Sequence, residues 1–224
     1  MVSVASLLMP VQASDRPYLA TTSAAAEEDD DNVWAVETTL IAARKSSDIR
    51  FTAEYAFNPT TSVQFEANQA RAKGSAAVRG AELEFKHLFN HIARDGWGWG
   101  INANVSFDQA SGPWRRTAQS VTLPYSLRLA DSATAGTLHL NLGISKPVAA
   151  TRRFSAALAL EREVWRRTTL FAETARDAEG TLAQIGLRHW VQRDRFSADL
   201  AWLTRRADGT RSAALVFGLG WYDL

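Results

Sequence analysis

The sequence predicts an all-β chain folded as a closed, up-and-down antiparallel barrel of about twelve strands. Three observations predict it. From Val33 to Tyr222, apolar residues alternate with small or polar ones in segment after segment, the period that puts successive side chains on opposite faces of a strand. Short turn-forming stretches join the segments, so consecutive strands pair as hairpins. The mean hydropathy is −0.20, and no apolar run approaches the roughly 20 residues of a membrane-spanning helix. A sheet with one oily and one wet face averages to such a value.

Taken in order, the chain opens with a short apolar stretch, Val2 to Met9, followed by Val11-Gln12-Ala13, which has the small-x-small character of a cleavage site. Residues 1–13 are therefore expected to be a signal peptide. The basic stretch that normally precedes the apolar run is missing, so the true start is expected to lie upstream; the competing reading is a disordered tail. Residues 14–31 read as a flexible acidic leader, because Glu27-Glu28-Asp29-Asp30-Asp31 repels itself and does not fold alone. It lacks the spaced ligands and glycine of a calcium loop. Residues 32–224 are the barrel.

The alternation is cleanest from Trp97 to Phe107, where Trp97, Trp99, Ile101, Ala103, Val105 and Phe107 oppose Gly98, Gly100, Asn102, Asn104 and Ser106. Similar segments run from Ile49 to Phe57, Val63 to Asn68, Ala81 to Phe89, Ser120 to Leu129, Thr137 to Ile144, Phe154 to Glu161 and Phe196 to Trp202. Poorer ones cover 32–45, 166–175, 180–192 and 210–222. Phe171 and Leu182 fall out of phase with their neighbours. Pro124 interrupts a clean strand and predicts a bulge there. Asn58-Pro59-Thr60-Thr61, Gln192-Arg193-Asp194 and Asp208-Gly209 read as turns.

A soluble sheet also alternates, so membrane insertion rests on further features. The non-apolar face carries charge near strand centres, at Glu54, Glu66, Glu82, Glu84, Lys86, Arg188 and Asp199. A barrel this wide is hard to fill with one sheet's apolar side chains, whereas a polar interior and an oily exterior suit a bilayer. Aromatic residues sit near segment ends, at Trp34, Phe57, Phe89, Trp97, Phe107, Trp190, Trp202 and Trp221, as interfacial girdles require. Membrane lipid is thus an expected partner and the bacterial outer membrane the expected location. Both termini are then expected in the periplasm, and loop 108–116, with Gly112-Pro113-Trp114-Arg115-Arg116, becomes an exposed extracellular surface.

Composition narrows the function. With 25 basic and 24 acidic residues the net charge is +1, which leaves no basic excess for nucleic acid. The chain has no cysteine, so disulfides, thiolate metal sites and cysteine nucleophiles are excluded, and nothing points to a metal or cofactor. Gly96 to Gly100 and Gly218-x-Gly220 lack the following helix of a phosphate loop and read as structural. No Gly-x-Ser-x-Gly or His-Glu-x-x-His motif is present. A lipid hydrolase would need Ser and His together on the outer wall. His87 and His189 lie on the apolar phase near strand ends, and His139 lies on the polar face two positions before Asn141. The chain is expected not to be an enzyme.

The last stretch, Ala213 to Leu224, resembles the final strand that the barrel-assembly machinery reads in outer-membrane proteins. Phe217, Leu219, Trp221, Tyr222 and Leu224 carry the resemblance, with Leu224 in place of the usual terminal aromatic. Residues 14–224 resemble the transporter-like barrels of the "MetA-pathway of phenol degradation" family. The resemblance rests on Arg16-Pro17, Glu37, Glu82-Leu83-Glu84-Phe85, Leu170-Phe171-Ala172-Glu173 and the hairpin from Gln184 to Trp202. It implies passage of hydrophobic or aromatic compounds and carries over no catalytic residue.

Together these features predict a channel for passive passage of small solutes. Glu54, Glu66, Glu82, Glu84, Lys86, Arg128, His139, Glu161, Arg188 and Asp199 are the candidate lumen lining. The alternative is a structural or adhesive barrel plugged by its own ion pairs, since buried charges pair where they can.

Overall fold

The computed structural model describes Ala25 and residues 31–130, 136–177, 180–207 and 209–224. The expected signal peptide, most of the leader and Asp208 lie outside the described residues; Ala25 is buried. Twelve strands follow one another: β1 (Val33–Ala43), β2 (Ser46–Asn58), β3 (Thr61–Ala72), β4 (Val78–Leu88), β5 (Trp97–Gln109), β6 (Arg115–Arg128), β7 (Thr137–Pro147), β8 (Arg153–Trp165), β9 (Thr168–Asp177), β10 (Gly180–Gln192), β11 (Phe196–Ala207) and β12 (Thr210–Trp221). A single-turn helix, α1 (Ile92–Asp95), sits between β4 and β5 and ends on Gly96 in the left-handed region at φ 76°.

Each strand pairs antiparallel with its sequence neighbours, and β1 also pairs with β12, from Val36↔Trp221 to Ala43↔Ala214. The ring therefore has no edge strand, which is the condition for a sheet in hydrocarbon, where open N–H and C=O groups find no water.

Which face is which follows from burial. Leu83, Leu142, Ile185 and Trp202 are at least half exposed, while Glu84, Lys86 and Arg188 are at most 3% exposed. Oily side chains point out and charged ones point in, the reverse of a soluble core. The fold is thus an inside-out barrel, as the alternation predicts.

Aromatic rings gather outside at the end that holds the termini. Trp34 packs on Tyr55 at 5.0 Å between centroids, Phe89 on Trp99 at 4.4 Å and Phe196 on Trp221 at 4.9 Å. Two residues expected in the girdles are elsewhere. Trp190 packs on Tyr222 and lies under the buried Arg188, because it is in phase with the inward row of β10. Trp202 faces outward at mid-strand, opposite Ile185 and Leu215.

Other expectations also change. No bulge occurs at Pro124: the β5–β6 register is the same at Trp99↔Tyr125 and Asn102↔Thr122, and pairing lapses between them. Pro124 has no N–H to give β5 and needs only that local gap, while its pairing to Asn141 of β7 continues. The register shift falls instead at Ser106/Phe107. Arg115 and Arg116 belong to β6, so the exposed loop is shorter than expected, at 110–114.

Phe171 and Leu182 break the alternation because they point inward, where they join Ala157, Ala159, Ala175, Ala201, Leu203, Ala214 and Val216 in one buried apolar cluster. The lumen is therefore polar along β2 to β7 and mixed along β8 to β12, where this apolar cluster lies beside Glu173, Arg188, Asp199 and Arg205. A barrel so hydrogen-bonded is expected to survive sodium dodecyl sulfate at room temperature: unheated protein should run ahead of boiled protein on a gel. Co-migration of the two samples would contradict a closed ring.

Candidate functional site

The lumen holds four arrangements of polar side chains. The first straddles the β1–β12 closure. Arg188 of β10 and Asp199 of β11 are cross-strand partners, and Arg188 Nε donates to Asp199 Oδ1 at 2.7 Å with both groups buried. The guanidinium lies 5.6 Å from the Trp190 ring and 5.8 Å from the Tyr222 ring, within cation–π range. Tyr222 in turn donates its hydroxyl to Glu37 of β1 at 2.5 Å.

The second is an acidic wall on β2 to β5. Register places Glu66 beside Glu82 and Gln64 beside Glu84. Glu82 accepts from Asn104 at 3.1 Å and from Ser106 at 2.6 Å. Glu84 Oε1 accepts from Asn102 at 2.9 Å, whereas Glu84 Oε2 and Asn102 Oδ1 are buried with no hydrogen-bond partner among the described residues. Glu54 accepts from Ser62 at 2.5 Å and stands 3.6 Å from Lys86 Nζ. This wall offers acceptors, with Arg50 and Lys86 as its bases.

The third joins β6, β7 and β8: Ser126 Oγ lies 2.8 Å from His139 Nδ1, and His139 Nε2 lies 3.7 Å from Glu161. The order Ser–His–Glu is that of a nucleophile and its base. Ser126 and His139 have no exposed surface, however, and they face the lumen. The group is a clasp between three strands and is not on the lipid-facing wall where an ester would lie. The outward histidines bond threonines, His87 to Thr61 and His189 to Thr168, each at 3.0 Å.

The fourth lies toward the end opposite the termini. Asp48 pairs with Arg50 at 2.8 Å, and Arg205 pairs with Asp177 at 2.8 Å. They flank a recess whose other side is Ile41, Leu182, Leu203 and Ala214, so charged and apolar walls meet there.

Of the predicted lining, all but Arg128 is placed inside. Arg128 is exposed at the last position of β6. It keeps the inward phase but has passed the rim. The predicted lining omits Glu37, Asp48, Arg50, Glu173 and Arg205, which also point inward; the alternation already sets Arg50 on the face of Glu54, and the others share phase with an inward neighbour and were readable on that ground. Among buried charged side chains there are seven carboxylates (Glu37, Asp48, Glu66, Glu82, Glu84, Glu173, Asp199) and four bases (Arg50, Lys86, Arg188, Arg205). The described lumen is therefore acidic although the whole chain is nearly neutral. In the last strand Phe217, Leu219 and Trp221 form an outward row, while Tyr222 turns into the lumen and Leu224 is exposed.

No family model matches the sequence, and no curated protein matches it. Solved structures do resemble the barrel. The KdgM porin in complex with disordered oligogalacturonate has a TM-score of 0.64 at 10% identity, over 84% of this chain and 98% of that one. The NanC porin has a TM-score of 0.61 at 7% identity, over 84% and 98%. The fold is that of outer-membrane porins. Omp33, an outer-membrane protein of Acinetobacter baumannii, is similar in the same way, with a TM-score of 0.54 at 7% identity over 88% and 99%. The barrel here shares their fold.

Proposed function

We propose that this outer-membrane barrel is a passive channel for small solutes, neutral or cationic, with hydrophobic or aromatic parts. The observation that carries the reading is the two-sided lumen. One wall is a net-acidic, acceptor-rich surface from β2 to β5; the other is a cluster of alanines with Phe171, Leu182, Leu203 and Val216. A solute with an apolar ring and a donor group meets a partner on each side. Multiply charged anions meet the excess of carboxylates, so the oligogalacturonate of the KdgM complex is not the kind of solute this lumen suits. The kinship with phenol-degradation transporters belongs to the same reading and rests on the short motifs together with this apolar wall. So does recognition by the assembly machinery, supported by the outward row Phe217, Leu219 and Trp221.

Planar-bilayer recording tests the reading. Stepwise conductance is expected, with a reversal potential in a potassium chloride gradient showing preference for the cation. Glu66→Gln with Glu82→Gln should reduce that preference. Preference for chloride would overturn the charge argument. A second reading, a barrel closed by its own side chains, is favoured by the near-complete burial of Arg188, Lys86 and His139; a silent bilayer from protein that shows the gel shift would establish it.

A further inference from the structure

At the end opposite the termini every hairpin carries exposed bases, from Arg44-Lys45 after β1 to Arg206 and Arg211 around the last turn, and no exposed described residue there is acidic. One part of this collar is ordered by the sheet. Register aligns Arg176 of β9 with Thr181 of β10, Thr181 with Arg206 of β11, and Arg206 with Arg211 of β12. All four side chains are exposed on the outward phase. At about 4.8 Å per strand the row spans roughly 14 Å.

Arg206 and Arg211 stand directly opposite each other, which is unfavourable for like charges. The acid nearest in sequence, Asp177, is held on the lumen side by Arg205 at 2.8 Å. Glu179 and Asp208, in the connecting turns, lie outside the described residues. Two rows further along the wall, Ile185, Trp202 and Leu215 are aligned in the same way and exposed.

We propose that Arg176, Thr181, Arg206 and Arg211 form a binding site for the phosphate headgroup of a net-anionic membrane lipid, with its acyl chains lying along Ile185, Trp202 and Leu215. Guanidinium groups present paired donors that match phosphate oxygens, and the Thr181 hydroxyl adds another. The position selects a lipid over a soluble anion: the three arginines are on the outer wall, continuous with apolar rows, and not in the lumen. Bound phosphate also relieves the Arg206–Arg211 opposition. The site fixes orientation, putting this end in the leaflet richer in phosphorylated lipid.

Native mass spectrometry of the folded barrel in detergent, with phosphatidylglycerol, diphosphorylated lipid A or phosphatidylcholine added, tests the site. The anionic lipids should be retained and phosphatidylcholine lost. At roughly fivefold per base, R176Q/R206Q/R211Q should weaken retention on the order of a hundredfold. R115Q/R116Q/R153Q, which removes three collar bases outside the row, should leave most of it. Folding of each variant is checked by the gel shift, and R211Q alone serves if the triple variant does not fold. Equal loss in both triple variants would reduce the site to diffuse charge. Unchanged retention in R176Q/R206Q/R211Q, or displacement of the lipid by millimolar inorganic phosphate, would overturn it.

Discussion

Replacing Asp199 by alanine is expected to destabilise the folded barrel by about 3–5 kcal/mol, because it strands a buried guanidinium. Arg188 is 1% exposed and its Nε bond to Asp199 is 2.7 Å, so its charge is balanced by protein groups. The cost spreads across the closure, since Arg188 also lies over Tyr222, whose hydroxyl holds Glu37 of β1. The check is urea unfolding in detergent micelles followed by tryptophan fluorescence. Removing both charges in Arg188→Leu with Asp199→Leu should cost less than Asp199→Ala alone, since an apolar pair leaves no unpaired ion. A double variant weaker than the single one would show that the loss does not come from the stranded charge.

Gly186→Val is expected to cost about 1–3 kcal/mol by overpacking the apolar wall. A Cβ at this inward position would lie 2.4 Å from Phe171 Cζ, 2.6 Å from Ala201 Cβ and 2.7 Å from the Leu200 carbonyl oxygen. Shortening Phe171 to alanine removes the first contact and not the last, which is backbone, so Phe171→Ala should rescue Gly186→Val only in part. Full rescue, or no loss on introducing valine, would mean that β10 and β11 yield more than a hydrogen-bonded pair should. The same unfolding assay reads both variants.

The architecture was legible because a two-residue period is a local property. Each run of alternation became a strand, and even the poorer segments at 166–175 and 180–192 became β9 and β10. Their irregularity had a cause that the period alone does not carry: Phe171 and Leu182 obey the inward phase, but the lumen there is apolar. Polarity had been the guide to which face is inside, so an oily stretch of lumen read as noise. Pro124 failed as a bulge signal for a related reason. Which neighbour lacks its N–H depends on pairing with β5 and β7, and those strands are assigned only by the fold.

The lining residues were readable from phase, while their partners were not. That Glu54 meets Lys86, that Ser126 meets His139, or that Glu37 meets Tyr222 across 185 positions follows from register and ring closure. Net charge misled in the same way. A total of +1 conceals an acidic interior and a basic collar because a sum carries no position.

The closure of β1 on β12 also means that the polypeptide traces a loop with no privileged starting point. Backbone bonds run both ways between Trp34 and Leu224, at 3.2 and 3.1 Å, so the two tails of the sheet already lie side by side. A version with those tails spliced by a short linker and a fresh break made at Gly74, in the connection between β3 and β4, would keep the same cyclic order of neighbours. In such a permuted protein the sequential distance between partners is redistributed and every cross-strand pairing is retained. The sheet is indifferent to where its thread begins.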